Sequence, residues 1–196
     1  MPTLREERYN EQRSHILLAA KTVFARKGFH DASIKDIMKE ASVSNGAIFT
    51  YFRTKDAIIA EIIDENLGLF RQRIDDIVNN ADGLKFDEVI LTLLELVRKI
   101  SLGPGRAMSL HVWSMSMLDT KIGQHTCAHF EKIHASLARL TTSFIKRGDL
   151  PETLNAKRSA KALFSILIPG YILQLTLCGG MDAKTYLSAH RALWRD

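Results

Sequence analysis

Two short stretches of the chain gather the side chains best suited to chemistry. From Ala41 to Ile58 the sequence reads ASVSNGAIFTYFRTKDAI, setting the hydrogen-bonding groups of Ser44, Asn45, Thr50 and Tyr51 among Ile48, Phe49 and Phe52. Amides, hydroxyls and a small Ala47 suit base edges, phosphates and thymine methyls. The second stretch holds His125, Cys127, His129 and His134. His125 and His129 stand at i, i+4 and can share one helix face, whereas Cys127 points elsewhere. No acid lies between the two histidines as in a zincin, so solvated or pocket-facing imidazoles are expected and no metal. The chain carries no Gly-rich phosphate loop, nucleophile elbow or CxxC pair, so it shows no enzyme chemistry and calls for no cofactor.

The elements that position the first stretch are helical, and no alternating strand pattern appears. A first helix is expected from about Arg8 to Lys27, with Ile16, Ala20, Val23 and Phe24 on one face. Gly28 stands where a left-handed cap is wanted, and Phe29 can fold back onto the helix. Ser33 to Asp36 is an N-cap followed three residues later by an acid. Behind it Ile34, Ile37, Met38 and Ala41 recur at helical spacing. This second helix is too short to persist in water unless packed. Ser42-Val43-Ser44 leaves only a tight turn before a third helix, capped by Ser44, with Ile48, Phe49 and Phe52 inward and Asn45, Ala47, Thr50 and Tyr51 outward. Two short helices about such a turn are the helix-turn-helix layout. Gly46 lowers helix propensity, and its use would be close backbone approach to the second helix or to a duplex. Thr54-Lys55-Asp56 caps a fourth helix, whose free amides with Lys55 could hold a phosphate.

Charge points the same way. Residues 1–55 hold ten Lys/Arg (Arg5, Arg8, Arg13, Lys21, Arg26, Lys27, Lys35, Lys39, Arg53, Lys55) against six acids, so +4 of the net +5 sits in the first quarter of 196 residues. A basic head on a nearly neutral body suits a polyanion. The two cysteines, Cys127 and Cys178, offer no disulfide framework, and the polar start suggests no secretory signal; a reducing cytoplasm is the expectation.

The segment SIKDIMKEASVSNGAIFTYFRTKDAI resembles the DNA-binding segment of the tetracycline-repressor (TetR/AcrR) family of bacterial transcription regulators, over residues from about 10 to 65. The resemblance implies that Lys35 contacts a base or phosphate from the second helix. It implies that Ser44, Asn45, Gly46 and Ala47 open a recognition helix in the major groove, and that Thr50 and Tyr51 touch bases or backbone. Lys55 falls on the family's phosphate-binding lysine. Phe49 stands where the family usually has Tyr, removing a hydroxyl often placed on phosphate, and Ser42 replaces the usual Gly of the turn.

The rest resembles the family in architecture alone. The expected fold is all-α with about nine helices: a three-helix head over residues 1–55, and a larger helical-bundle body over 56–196 for ligand binding and dimerisation. The fourth helix, lined by Ile59, Ile62, Ile63, Phe70 and Ile74, would be a strut about 37 Å long. Next to the Gly103-Pro104-Gly105 break, Met108, Trp113, Met115, Met117 and Phe130, with His111 and His134 as polar handles, are candidates for an apolar effector pocket; the same residues also suit plain core filling. The uncharged run from Ala162 to Met181 is interrupted by Pro169, Gly170, Gln174 and Gly179-Gly180, so it reads as a buried helix under a second subunit and no membrane span. The family's four-helix dimer interface would be formed here by about 155–177 and 183–194. The partners expected are thus double-stranded DNA with an inverted-repeat operator, a small-molecule effector and a second copy of the chain. Two other readings stay open at this point, a helical protein-interaction module with a basic head and a metal protein or enzyme built on the His/Cys cluster.

Overall fold

The computed structural model describes residues 3–102 and 106–192; the side chains of residues 106–109 and 192 are outside that description, and with them Met108, the Gly103-Pro104-Gly105 break and Trp194. Nine helices and no strand occur among the described residues. They are α1 (Leu4–Asp31), α2 (Ile34–Ala41), α3 (Asn45–Tyr51), α4 (Lys55–Asn79), α5 (Phe86–Leu102), α6 (Arg106–Leu118), α7 (Thr120–Lys146), α8 (Ala156–Leu177) and α9 (Ala183–Ala192).

The chain forms two compact units, and the division differs from the expected break at 55/56. The first unit takes the chain up to Leu67 together with Ala107–Thr126; the second takes Gly68–Arg106 and the chain from Cys127 on. The boundary moves because Ile58, Ile59, Ile62 and Ile63 of α4 are fully buried in the same core as Ile16, Val23, Phe24, Ile37 and Ile48. Val112 and Ile122 join that core, and Trp113 and Met115 pack against it.

In the first unit α1 starts earlier than its apolar pattern, because Thr3 and Glu6 form a reciprocal capping box. It kinks at Gly28, whose φ of 76° is readily available only without a Cβ. Phe29 then turns back edge-on to Phe24, with ring centroids 4.7 Å apart. Ser33 and Asp36 cap α2 in the same reciprocal way. The turn after α2 is closed by Ser42 at φ 51°, the one non-glycine residue in the left-handed region among those described. Its N–H reaches the Lys39 carbonyl, and Val43 N–H reaches that of Met38.

The second unit is built on Val89, Leu93, Leu94 and Val97 of α5, Ile133, Leu137, Leu140 and Phe144 of α7, and Leu167, Ile168 and Tyr171 of α8. Helix α8 widens into a π turn over Ile166–Gly170 around Pro169, which has no N–H to donate. The Tyr186 hydroxyl donates to the Ile166 carbonyl at 2.9 Å. A Cβ at Gly170 would lie 2.8 Å from that hydroxyl and would displace it. Asp75 joins α4 to α7: it accepts from Ser136 Oγ at 2.5 Å, pairs with Arg139 at 2.7 Å and with Arg71 at 2.7 Å. Burial pushes its carboxyl up, but the Ser136 and Arg139 hydrogen bonds and the two arginine charges outweigh that and hold it below the ordinary range.

Candidate nucleic-acid interface

Helix α3 is seven residues long and meets the core through Ile48 and Tyr51. Ile48 is fully buried beneath it, and Phe52, just past its end, is buried under the Arg13 guanidinium, 5.2 Å from the ring centroid. Two anchors four residues apart, with Tyr51 packed beside them, fix the roll of the helix, so Asn45, Gly46, Phe49 and Thr50 turn outward. Asn45, Gly46, Phe49 and Thr50 are exposed; Ala47 and Tyr51 are half-buried at the flanks.

Phe49 corrects the expected inward face, since it is 43% exposed and lies on the outer surface. The inward side is Ile48, Tyr51 and Phe52, so Tyr51, expected outward, takes the place of Phe49. Gly46 has nothing within 4 Å of where a Cβ would lie, so it is not there for packing on α2, and its open surface is left to an approaching partner. Ser44 accepts from Ala47 N–H at 3.2 Å as the N-cap. Thr50 Oγ1 donates to the Gly46 carbonyl at 3.0 Å, so toward a base it offers an acceptor and a methyl.

Lys55, the expected phosphate contact, is engaged within the head. Its Nζ donates to the carbonyls of Phe29 at 2.8 Å, His30 at 3.1 Å and Ala32 at 3.1 Å. An ammonium has three N–H groups, and all three are taken by the C-terminal turn of α1. Lys55 thereby ties α4 to the turn that leads into α2. The hydroxyl of Thr54 caps α4 by accepting from Ala57 N–H at 3.1 Å.

The other cations of the head sort into two groups. Arg13 pairs with Glu61, Lys21 with Glu65, Arg26 with Glu40 and Lys27 with Asp36. These pairs brace α1 against α4 and α2, aided by His15 Nε2 at 2.9 Å from the Ala41 carbonyl. The Lys27 hydrogen bond first, then those of Ser33, hold the Asp36 carboxyl far below the ordinary carboxylate range. Among the described residues Arg5, Arg8, Lys35, Lys39 and Arg53 have no such partner, and all five are exposed. Lys35, an expected contact, is therefore available. Composition alone could not separate the two groups, because pairing depends on which helix faces which.

Of the expected effector residues, those described fall in both units. His111 lies edge-on to Phe29 in the first unit at 5.8 Å, its ring 3.5 Å from where a Gly28 Cβ would be, and Trp113 and Met115 pack on the same core. Met117 is 81% exposed. In the second unit Phe130 and His134 meet around Phe164, at 5.0 and 4.5 Å between ring centroids. That unit also holds a narrow apolar crevice lined by Phe70 and Ile74 of α4, Leu93 and Val97 of α5, Leu137 of α7, and Leu167 and Ile168 of α8. The crevice residues recur at helical spacing and so look like ordinary core in the sequence. Of the histidine cluster, His125 sits 3.0 Å from Asp64 in the first unit, His129 is buried, and Cys127 is exposed.

A short capped helix, a tight left-handed turn and a polar-faced second helix on a basic three-helix core make up a helix-turn-helix. Residues 16–62 match the model of the bacterial regulatory proteins of the tetR family. Over those residues the chain is similar to that family. It is 34% identical over 74 residues to the uncharacterized HTH-type transcriptional regulator YfiR of Bacillus subtilis (strain 168), covering 38% of this chain and 36% of that protein. It is 23% identical over 158 residues to the HTH-type transcriptional regulator UidR of Escherichia coli (strain K12), covering 79% and 76%. With YfiR, and with YdgC of Bacillus subtilis at 46%, the match thus spans less than half of the relative's length. Over its fold, the chain is similar to Salmonella enterica GusR, with TM-score 0.78, 21% identity and 93% of each chain covered. It is similar also to the transcriptional regulator FadR from Bacillus subtilis in complex with stearoyl-CoA, with TM-score 0.76, 19% identity, and 92% and 96% covered.

Proposed function

We propose that this protein is a ligand-responsive, DNA-binding transcription regulator of the bacterial cytoplasm, a homodimeric repressor released from an inverted-repeat operator by a small apolar or aromatic molecule. The observation that carries the reading is the outer surface of α3: Asn45, Gly46, Phe49 and Thr50 stand clear of the core on buried Ile48 and Phe52, with unpaired Lys35, Lys39 and Arg53 nearby in the chain. Amide, hydroxyl and methyl groups there read base edges, and the free cations meet phosphates. One α3 covers few base pairs, so two copies with half-sites about one helical turn apart are needed for a specific site. Exposed Leu173 and Leu177 on α8 support dimerisation through α8 and α9, since a soluble monomer gains nothing by leaving such a face uncovered.

The all-hydrocarbon lining of the second unit's crevice favours an effector with an acyl or aromatic body. With room for about one water at present, the crevice must open to admit it. In the first unit α6 rests through His111 on the Gly28–Phe29 turn, the same turn that Lys55 holds. The test is selection of bound duplexes from a random pool, followed by release with acyl and aromatic compounds. Inverted repeats and release by one compound class support the reading. Bound duplexes without an inverted repeat would refute it.

A further inference from the structure

Helix α1 extends beyond the core it serves. Its first buried residue is Ile16, and every residue from Leu4 to Glu11 is exposed. A stretch of helix with no packing is marginal in water. Two contacts hold this one: the Thr3–Glu6 capping box, which already satisfies the helix's first amides, and the ring of Tyr9, 4.7 Å from that of Tyr51 at the end of α3. Tyr51 is half-buried and belongs to the recognition helix, so Tyr9 ties the overhang to the surface proposed above to meet the duplex.

The charges on the overhang are arranged by face. At about 100° per residue Arg5 falls beside Tyr9, and Arg8 lies at the border of the same side. Glu7 and Glu11 fall on the opposite side. Glu6 shares the Tyr9 side, but its carboxylate accepts from Thr3 N–H at 2.7 Å and its oxygen is shared with the Thr3 hydroxyl at 3.0 Å. The Thr3 contacts hold that carboxyl below its ordinary range. Arg5 and Arg8 are without an ion pair among the described residues, whereas Arg13, one turn past Tyr9 and back toward the core, is bound to Glu61. The side of the overhang continuous with α3 thus presents two unspent guanidinium groups beside an aromatic ring.

We infer that the exposed start of α1 is a second duplex-contacting element, in which Arg5 and Arg8 meet the phosphates flanking the groove that α3 enters, and Tyr9 holds them there through Tyr51. From Leu4 to Tyr9 the overhang is about 8 Å long, which is roughly two base steps of flanking backbone. These contacts add affinity and not sequence preference, because phosphates carry no base information. The inference rests on the DNA-binding reading of α3.

The experiment uses the full chain and two probes, the highest-affinity duplex recovered from a random pool and a mixed-sequence duplex of the same length. For Arg5→Gln/Arg8→Gln, the slope of log affinity against log salt should fall by about 1.8, two phosphate contacts at about 0.9 each, on both probes. The preference between the probes should stay as in wild type. Tyr9→Ala should lower the slope too, and Tyr9→Phe should not. Circular dichroism of each variant checks that the helices are intact. A wild-type slope in a folded Arg5→Gln/Arg8→Gln protein overturns this inference and leaves the α3 reading standing. Failure of the wild type to bind either duplex overturns both.

Discussion

Replacing Lys55 by Met keeps the aliphatic stem and removes three donors, which makes it a sharp test of what this residue does. In wild type the ammonium lies at 2.8–3.1 Å from the carbonyls of Phe29, His30 and Ala32, at the C-terminal end of α1 where the helix dipole favours a cation. A hydrogen bond to a charged group contributes about 1.5 kcal/mol or more, and the partial exposure of the site lets water replace some of it. The net loss should be about 2 kcal/mol. For a chain of this size that lowers Tm by about 4–8 °C. DNA affinity should also drop, because the α1–α2 turn is no longer held against α4. The salt slope of binding should nonetheless match wild type, since no phosphate contact has been removed. A thermal scan and a salt titration of the same protein decide the matter. An unchanged Tm with a slope reduced by about 0.9 would show that Lys55 is a phosphate contact and refute the argument.

Trp113→Ala should destabilise the first unit by about 2 kcal/mol, because a half-buried indole on the head core leaves a void; a stable variant altered only in effector binding would contradict that placement. Ser42→Gly should raise stability by about 0.5–1 kcal/mol, as it relieves a left-handed residue at φ 51°, and a lower Tm would contradict it. Asp75→Asn tests the α4–α7 brace through pH. The folded carboxyl is held below its unfolded value, so its contribution is fully present above the unfolded pKa of about 3.9 and is lost as pH falls through the lower folded value. The variant should therefore be less stable than wild type at pH 7, and the gap should close in strong acid. A gap independent of pH would show that the charge does not matter.

The head was readable because local rules coincide there with the tertiary structure. Ser33–Asp36, Ser44 and Thr54 cap helices where their spacing said they would, and Gly28 takes the left-handed turn. What sequence reasoning missed depends on which surfaces meet. Lys55 looks like any exposed cation until α1 ends beside it, and Phe49 looks apolar enough to be buried until α3 is seen to rest on Ile48 and Tyr51. The start of α1 was lost because Leu4–Glu11 has no apolar period; only the Thr3–Glu6 spacing announced it. In the second unit, a crevice wall and a packed core share the same hydrocarbon residues at the same spacing, so Phe70, Ile74, Leu93 and Val97 carried no separate signal.

The central claim is that α3 reads bases through its exposed polar residues. Parallel selections from one random pool with wild type, Asn45→Ala and Thr50→Ala test it most directly. Both side chains are exposed and bury nothing, so each variant should keep its fold and its salt slope. The account predicts inverted repeats from all three proteins, with the preferred base changed at one or two symmetric positions in each variant, at a discrimination of about 1–3 kcal/mol per lost contact. The same motif from all three, base for base, would contradict the claim and place sequence recognition somewhere other than α3.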